Sequence, residues 1–262
     1  MNLFKKISRR EKKAEKPGFF GDYSSWEQAR TCAGGYDAPA ILEKTKAAMR
    51  EILLGRAIFE RDSVLLPQPE YPWPLISCLL YAAATSRGRL SVLDFGGALG
   101  SSFYQCRPFL QNMPDLAWAV VEQKHYVEVG RTEFSNELLS FHSQSQAAAS
   151  AVHPNLLLLS SVLSYLPDPW SLLKEVLSLG IRYAVMDRTP FLFSGRDRLT
   201  VQVVPQEIYP ASYPAWFFGK TRLLRQFSEF GYEIRAQWQN ADRWDPDGEK
   251  AEFSGIFFEK KP

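Results

Sequence analysis

No uninterrupted apolar run in this chain approaches the ~20 residues a helix needs to cross a bilayer, so no membrane span is expected. Cysteine is scarce: Cys32, Cys78 and Cys106 are odd in number, widely separated and never spaced Cys-x-x-Cys. That argues against a disulfide framework or a thiolate zinc site, and reduced cysteines point to the cytoplasm. Histidine is as sparse, with His125, His142 and His153 scattered along the chain, so no metal centre is expected. Net charge is also low, +2 over 262 residues, but it hides an asymmetry. Residues 1–16 hold seven cations against Glu11 and Glu15, which leaves the remainder at −3. Such an arm can touch nucleic acid or anionic lipid, although a solvated, flexible terminus is the plainer reading, and it lacks the apolar run of a signal peptide. With no broad basic surface after residue 16, nucleic acid is not the expected partner.

What is present is a chain long enough for one α/β domain with an appendage. The first part reads as helical. Ser24 and Glu27 have the spacing of a capping box, and apolar residues recur at helical spacing from Ile41 towards Glu60. Pro67, Pro69, Pro72 and Pro74 interrupt, and Leu75 to Ala84 makes a further helix closed by Arg87-Gly88. From Leu90 the texture changes to short apolar runs alternating with helices. Strands are predicted at Leu90–Asp94, Leu116–Glu122, Leu138–Phe141, Leu156–Leu159 and Arg182–Met186, the last ended by Asp187. Asp168-Pro169 starts a helix that Gly180 ends. Tyr232–Trp238 and Glu252–Glu259, joined by a turn at Asp245–Gly248, close the chain as an antiparallel edge pair. The expected architecture is a mostly parallel, doubly wound sheet with helices on both faces.

The informative stretch is Val92-Leu-Asp-Phe-Gly-Gly-Ala-Leu-Gly100, a strand followed by a glycine-rich turn and a helix. A turn at the carboxyl end of a first parallel strand is where open α/β sheets bind ligands, and glycine lets the backbone approach them. It resembles motif I of class I S-adenosylmethionine-dependent methyltransferases, an acid followed by x-Gly-x-Gly-x-Gly. Asp94, Gly96 and Gly100 match the acid and the outer glycines, and Ala98 stands where the middle glycine would be. A nicotinamide-type Gly-x-Gly-x-x-Gly fits less well, because Ala98 and Ser101 occupy its second and third glycines. Glu122 ends the second strand, 26 positions after Gly96, where the superfamily carries the acid that accepts both ribose hydroxyls. The adenine position falls near His142 and Ser143. Ser160-Ser161 and the loop to Asp168 follow the fourth strand and lack the Asn/Asp-Pro-Pro-Tyr/Phe signature of base-amine methylation.

The resemblance implies a Rossmann-like class I methyltransferase sheet with an N-terminal helical region. It also implies S-adenosylmethionine as cofactor, held by Asp94, Gly96, Gly97, Ala98, Gly100, Glu122 and Ser160. From Phe19 onward the chain is similar to a group of bacterial methyltransferases linked with cell-surface polysaccharide synthesis. Motifs shared with that group include Tyr23-Ser-Ser-Trp26, Gly35-Tyr-Asp37, Asp187-Arg-Thr-Pro190, Asp197 to Gln202 and Tyr213-Pro-Ala-Trp216.

The expected domains are a basic arm (1–16), a helical cap region (17–88) and a cofactor domain (89–262) with a substrate-side insertion near 190–219. The acceptor is expected to be a small polar molecule such as a sugar or its nucleotide-linked form. Asp187 is the candidate base, or else only the start of an Asx turn. Arg188 and Arg198 are candidates for an anionic group, and Tyr36, Tyr213 and Trp216 for the pocket wall. A Rossmann-type oxidoreductase or sugar-nucleotide enzyme and a noncatalytic binding module remain the alternatives.

Overall fold

In the computed structural model, which describes residues 16–33, 39–57, 59–61, 64–66, 68, 70–205, 208 and 211–261, the apolar runs after Leu90 assemble into one sheet. The arm before Lys16, the Gly35-Tyr36-Asp37 motif, Pro67, Pro69 and Tyr209 lie outside the described residues. The region ahead of Leu90 contributes β1 (Gly18–Phe20), α1 (Trp26–Thr31), α2 (Pro39–Leu53), β2 (Phe59–Arg61), β3 (Val64–Leu66) and α3 (Trp73–Thr85). Then come β4 (Arg89–Phe95), α4 (Ser101–Leu110), β5 (Asp115–Val121), α5 (Lys124–Val129), β6 (Leu139–His142), α6 (Ser145–Val152), β7 (Leu156–Ser160) and α7 (Pro169–Ser178). The chain closes with β8 (Tyr183–Leu192), β9 (Arg198–Val203), β10 (Ser212–Phe217), α8 (Lys220–Glu229), β11 (Tyr232–Gln239) and β12 (Ala251–Lys260).

Seven strands pair in the order β11-β12-β8-β7-β4-β5-β6. The pairs from β8 to β6 are parallel, and β12 runs antiparallel to both β8 and β11. This is the expected Rossmann-like sheet with its antiparallel C-terminal edge pair. The central strands are apolar on both faces because helices cover both. Val92, Trp118, Leu156 and Tyr183 pack on one side with α3 and α4. Their neighbours Leu93, Ala119, Leu157 and Ala184 pack on the other with α7 and α8. The chain reverses its direction of growth between β4 and β7, so a crevice opens at the carboxyl ends of these two strands.

Four expectations are corrected. Ser25, not Ser24, caps α1: its side chain accepts from the Gln28 amide at 3.2 Å, while Gln28 reaches back to the Ser24 amide. Helix α2 stops at Leu53, because Gly55 turns left-handed (φ +69°) and Phe59 and Glu60 enter a hairpin. The region 17–88 is not wholly helical, since β1 joins β9 and β10 in a separate three-stranded sheet. Strand β8 also runs five residues past Asp187 to Leu192, held there by pairing with β12.

Candidate functional site

The glycine turn sits at the crevice because β4 ends there and α4 begins on the far side. Gly96 and Gly100 have φ of +75° and +92°, the left-handed region that side chains disfavour. A Cβ at Gly96 would lie 2.3 Å from Val162 across the crevice, and one at Gly97 would lie 2.5 Å from the Asp94 carboxylate. The turn is therefore packed from below by Asp94 and from the side by the loop after β7. Ala98 takes φ +50° without being glycine, at a cost of about 1–2 kcal/mol. Ala98→Gly should stabilise the fold by about 0.5–1 kcal/mol, read as a higher urea midpoint with unchanged slope; a lower midpoint would refute the strain.

Asp94 is fully buried, and the Trp118 indole donates to it at 3.0 Å. Burial pushes its carboxyl up to about 7; the indole bond opposes the rise and the Glu122 carboxylate adds to it. Glu122 follows β5 on the same rim. Burial raises its pKa too, while the backbone amides of Gln123 and Ala98 pull it down. The two acids thus meet at one rim, which joins the motif on β4 to the strand-end acid after β5.

Both acids line a cavity of about 680 Å³ together with Gly96, Gly97, Ala98, Ser160 and Ser161. Gly100 turns the chain behind it, where a Cβ would come 2.9 Å from Leu139. Beyond β6, Ser143, Gln144 and Ser145 line the cavity, whereas the His142 ring turns to Ser140 at 2.9 Å. Ser145 is buried with its hydroxyl unpartnered. An orphaned polar atom in a cavity wall invites a ligand's hydrogen bond.

Asp187, Arg188 and Tyr213 line the same cavity. Asp187 is buried, and its Oδ1 accepts from Trp238 Nε1 and Asn240 Nδ2, both at 2.9 Å. Arg188 has φ +50° and pairs with both oxygens of Asp242, at 3.2 and 3.0 Å. Tyr213 packs edge-on against Tyr165, whose hydroxyl donates to Gln202 at 2.9 Å.

Arg198 and Trp216 are not among the lining residues. Arg198 is buried and spends its guanidinium on the carbonyls of Gly21 and Pro246 and the carboxylates of Asp247 and Glu249, tying β1 to the turn before β12. Trp216 donates to the Leu166 carbonyl and packs in the core. Among the described lining residues the carboxylates are Glu60, Asp94, Glu122, Glu175, Asp187 and Asp242, and the cation is Arg188.

Sequence reasoning missed Glu60, which bonds Ser101 at the start of α4, and Ser145, Gln202, Asn240, Asp242 and Trp244. No local signal marked these residues, because β11 ends at Gln239 and Asn240 and Asp242 follow it in irregular chain.

No protein-family model and no curated protein matches this chain. Solved structures similar to it include the N-terminal domain of EvdMO1 in the presence of S-adenosylhomocysteine and D-fucose, at 12% identity over 86% of this chain and 100% of that one, TM-score 0.49. Magnesium protoporphyrin IX methyltransferase from Synechocystis PCC 6803, with bound S-adenosylhomocysteine, is similar at 14% identity over 72% and 83% of the two chains, TM-score 0.48. The glycopeptide N-methyltransferase MtfA, complexed with S-adenosylmethionine, is similar at 8% identity over 70% and 87%, TM-score 0.46.

Proposed function

We propose that this chain is an S-adenosylmethionine-dependent methyltransferase acting on a small, uncharged polar acceptor of the sugar type. One observation carries the reading: the glycine turn above Asp94 and the strand-end Glu122 share one rim at the crevice between β4 and β7, and both open on one cavity. Glu122 offers two oxygens to a vicinal diol. Gly96, Gly97 and Ala98 would bring backbone amides to the cofactor, and the Ser145 hydroxyl, which has no partner, would be available to it on the β6 side of the cavity. The cofactor, when bound, supplies a methyl group activated on a sulfonium. The residues orient the acceptor in line with it and exclude water. Asp187 accepts the hydroxyl proton, with its Oδ1 held by Trp238 and Asn240.

The expected anion-binding role of the arginines loses its support. Arg188 is held by Asp242, Arg198 lies outside the cavity, and carboxylates dominate the lining. A phosphate or nucleotide tail would meet like charge. Polar Tyr165 and Gln202 and aromatic Phe19, Trp244 and Phe253 in one lining suit the hydroxyls and C–H faces of a neutral sugar ring, in line with the resemblance to polysaccharide-linked methyltransferases.

Calorimetry with S-adenosylmethionine, S-adenosylhomocysteine and NAD tests the cofactor; binding of NAD alone would replace this reading with the oxidoreductase. Glu122→Gln keeps the shape but removes the charge, and should weaken S-adenosylhomocysteine by roughly 1.5–3 kcal/mol. Unchanged affinity would leave Glu122 as a mere strand terminus.

A further inference from the structure

We propose that Trp238, Asn240 and Asp242 form a brace, carried by the edge strand, that aims Asp187 and Arg188 into the cavity, with Trp238 and Asn240 acting as positioning residues for the base. This rests on the reading of Asp187 as the group that takes the acceptor's proton.

Trp238 stands near the end of β11 and Asn240 and Asp242 just beyond it, and all three side chains reach Asp187 or Arg188. β11 is the outermost strand and does not pair with β8, because β12 lies between them. To reach Asp187, the Trp238 side chain must cross β12, and Gly255 lets it pass. Trp238 and Gly255 are register partners, and a Cβ on Gly255 would come within 2.0 Å of the indole ring. At the same place the β12–β8 register breaks between Ser254 and Ile256, and Arg188 takes its left-handed φ of +50°. The bulge turns Asp187 and Arg188 out of the regular alternation.

The hydrogen bonds then act as a set. Trp238 Nε1 and Asn240 Nδ2 both donate to Oδ1 of Asp187. Two donors on one oxygen fix the carboxylate plane, which a single bond would leave free to swing. No described residue bonds Oδ2, and Asp187 lines the cavity, so Oδ2 is the oxygen left for a ligand. The other end of the Asn240 amide accepts from the Arg188 backbone N–H at 3.3 Å. One side chain thereby ties two successive residues of β8. Asp242 completes the brace with its two-oxygen grip on the Arg188 guanidinium. A buried acid needing only satisfaction would be served by either donor; converging donors on one oxygen, with the other left open, serve orientation.

The test uses the full chain and two readouts. The first is transfer of labelled methyl from S-adenosylmethionine into the small-molecule fraction of a cell extract. Trp238→Phe and Asn240→Ala should each lower turnover roughly 10–100-fold at unchanged S-adenosylmethionine affinity, as misaimed catalytic groups do. In an Asp187→Asn background neither should cost anything more, because residues acting through one group are not additive. Equal losses in both backgrounds, or a change in acceptor KM alone, would overturn the brace. The second readout is hydrogen exchange of the Trp238 indole N–H, which should speed up about tenfold or more in Asp187→Ala. An unchanged rate would overturn the brace whatever the activity. Full turnover in Asp187→Asn with a faster-exchanging indole in Asp187→Ala would instead reject the base while keeping the contact.

Discussion

Asp94→Asn should stabilise the protein at pH 8 by up to roughly 4 kcal/mol, and weaken S-adenosylmethionine at the same time. Asp94 is raised from 3.8 to about 7, chiefly by burial. Well below pH 4 the carboxyl is protonated in both folded and unfolded chains and contributes nothing to the balance. Between pH 4 and 7 the unfolded chain releases the proton while the folded chain keeps it, so stability falls as pH rises. Above 7 the buried charge exists in the folded state as well, and the penalty is complete. Asparagine keeps an oxygen for the Trp118 indole, now donating at 3.0 Å, and carries no charge to bury. Urea unfolding at pH 5 and pH 8 reads the result: the wild type should lose stability across this window and the variant should not. A wild type that gains stability over the same window would show that burial does not control this acid. Retaining a destabilising carboxylate below the glycine turn makes sense if ligand binding needs it, and such trade-offs gather at functional sites.

Asp187→Asn should slow methyl transfer by roughly 10²–10⁴-fold and leave cofactor affinity unchanged. The substitution is nearly isosteric, and its amide oxygen can still accept from Trp238 and Asn240, so the surrounding packing persists. The proposed proton acceptor is lost, because an amide nitrogen faces the cavity in place of Oδ2. Label from S-adenosylmethionine, followed into the small-molecule, protein and nucleic-acid fractions of an extract, reads both rate and acceptor class. Wild-type turnover in the variant would leave Asp187 as a structural acid. Label found only in protein or nucleic acid would overturn the small-molecule acceptor.

Much of the fold was legible because its signals are local. Apolar runs of strand length, punctuated by Gly96, Asp168-Pro169 and Gly180, dictated where strands and helices alternate, since backbone conformation and burial on both faces act over a few residues. The spacing from Gly96 to Glu122 was readable for the same reason: one helix and one strand of ordinary length separate them, and parallel pairing of β4 with β5 brings their ends together. Boundaries failed where a distant partner intervened. β8 outlasts Asp187 because β12, some sixty residues later in the chain, supplies hydrogen bonds to extend it.

The fate of individual charges lay beyond local pattern. Arg188 and Arg198 look alike in the sequence, ten residues apart, yet one lines the cavity and the other is a buried tie. Their partners come from 242–249 and, for Arg198, also from Gly21, and nothing near either arginine encodes them. Asp187 likewise meets Trp238 and Asn240 only because β11 and β12 fold back as an antiparallel pair. The sequence by itself determined the strand-turn-helix, its acid and the acid one strand away, because glycine conformation and side-chain period are properties of neighbouring residues. Tertiary structure alone decided which carboxylates and arginines face the cavity, because a buried charge is stable only beside the partner that long-range folding brings to it.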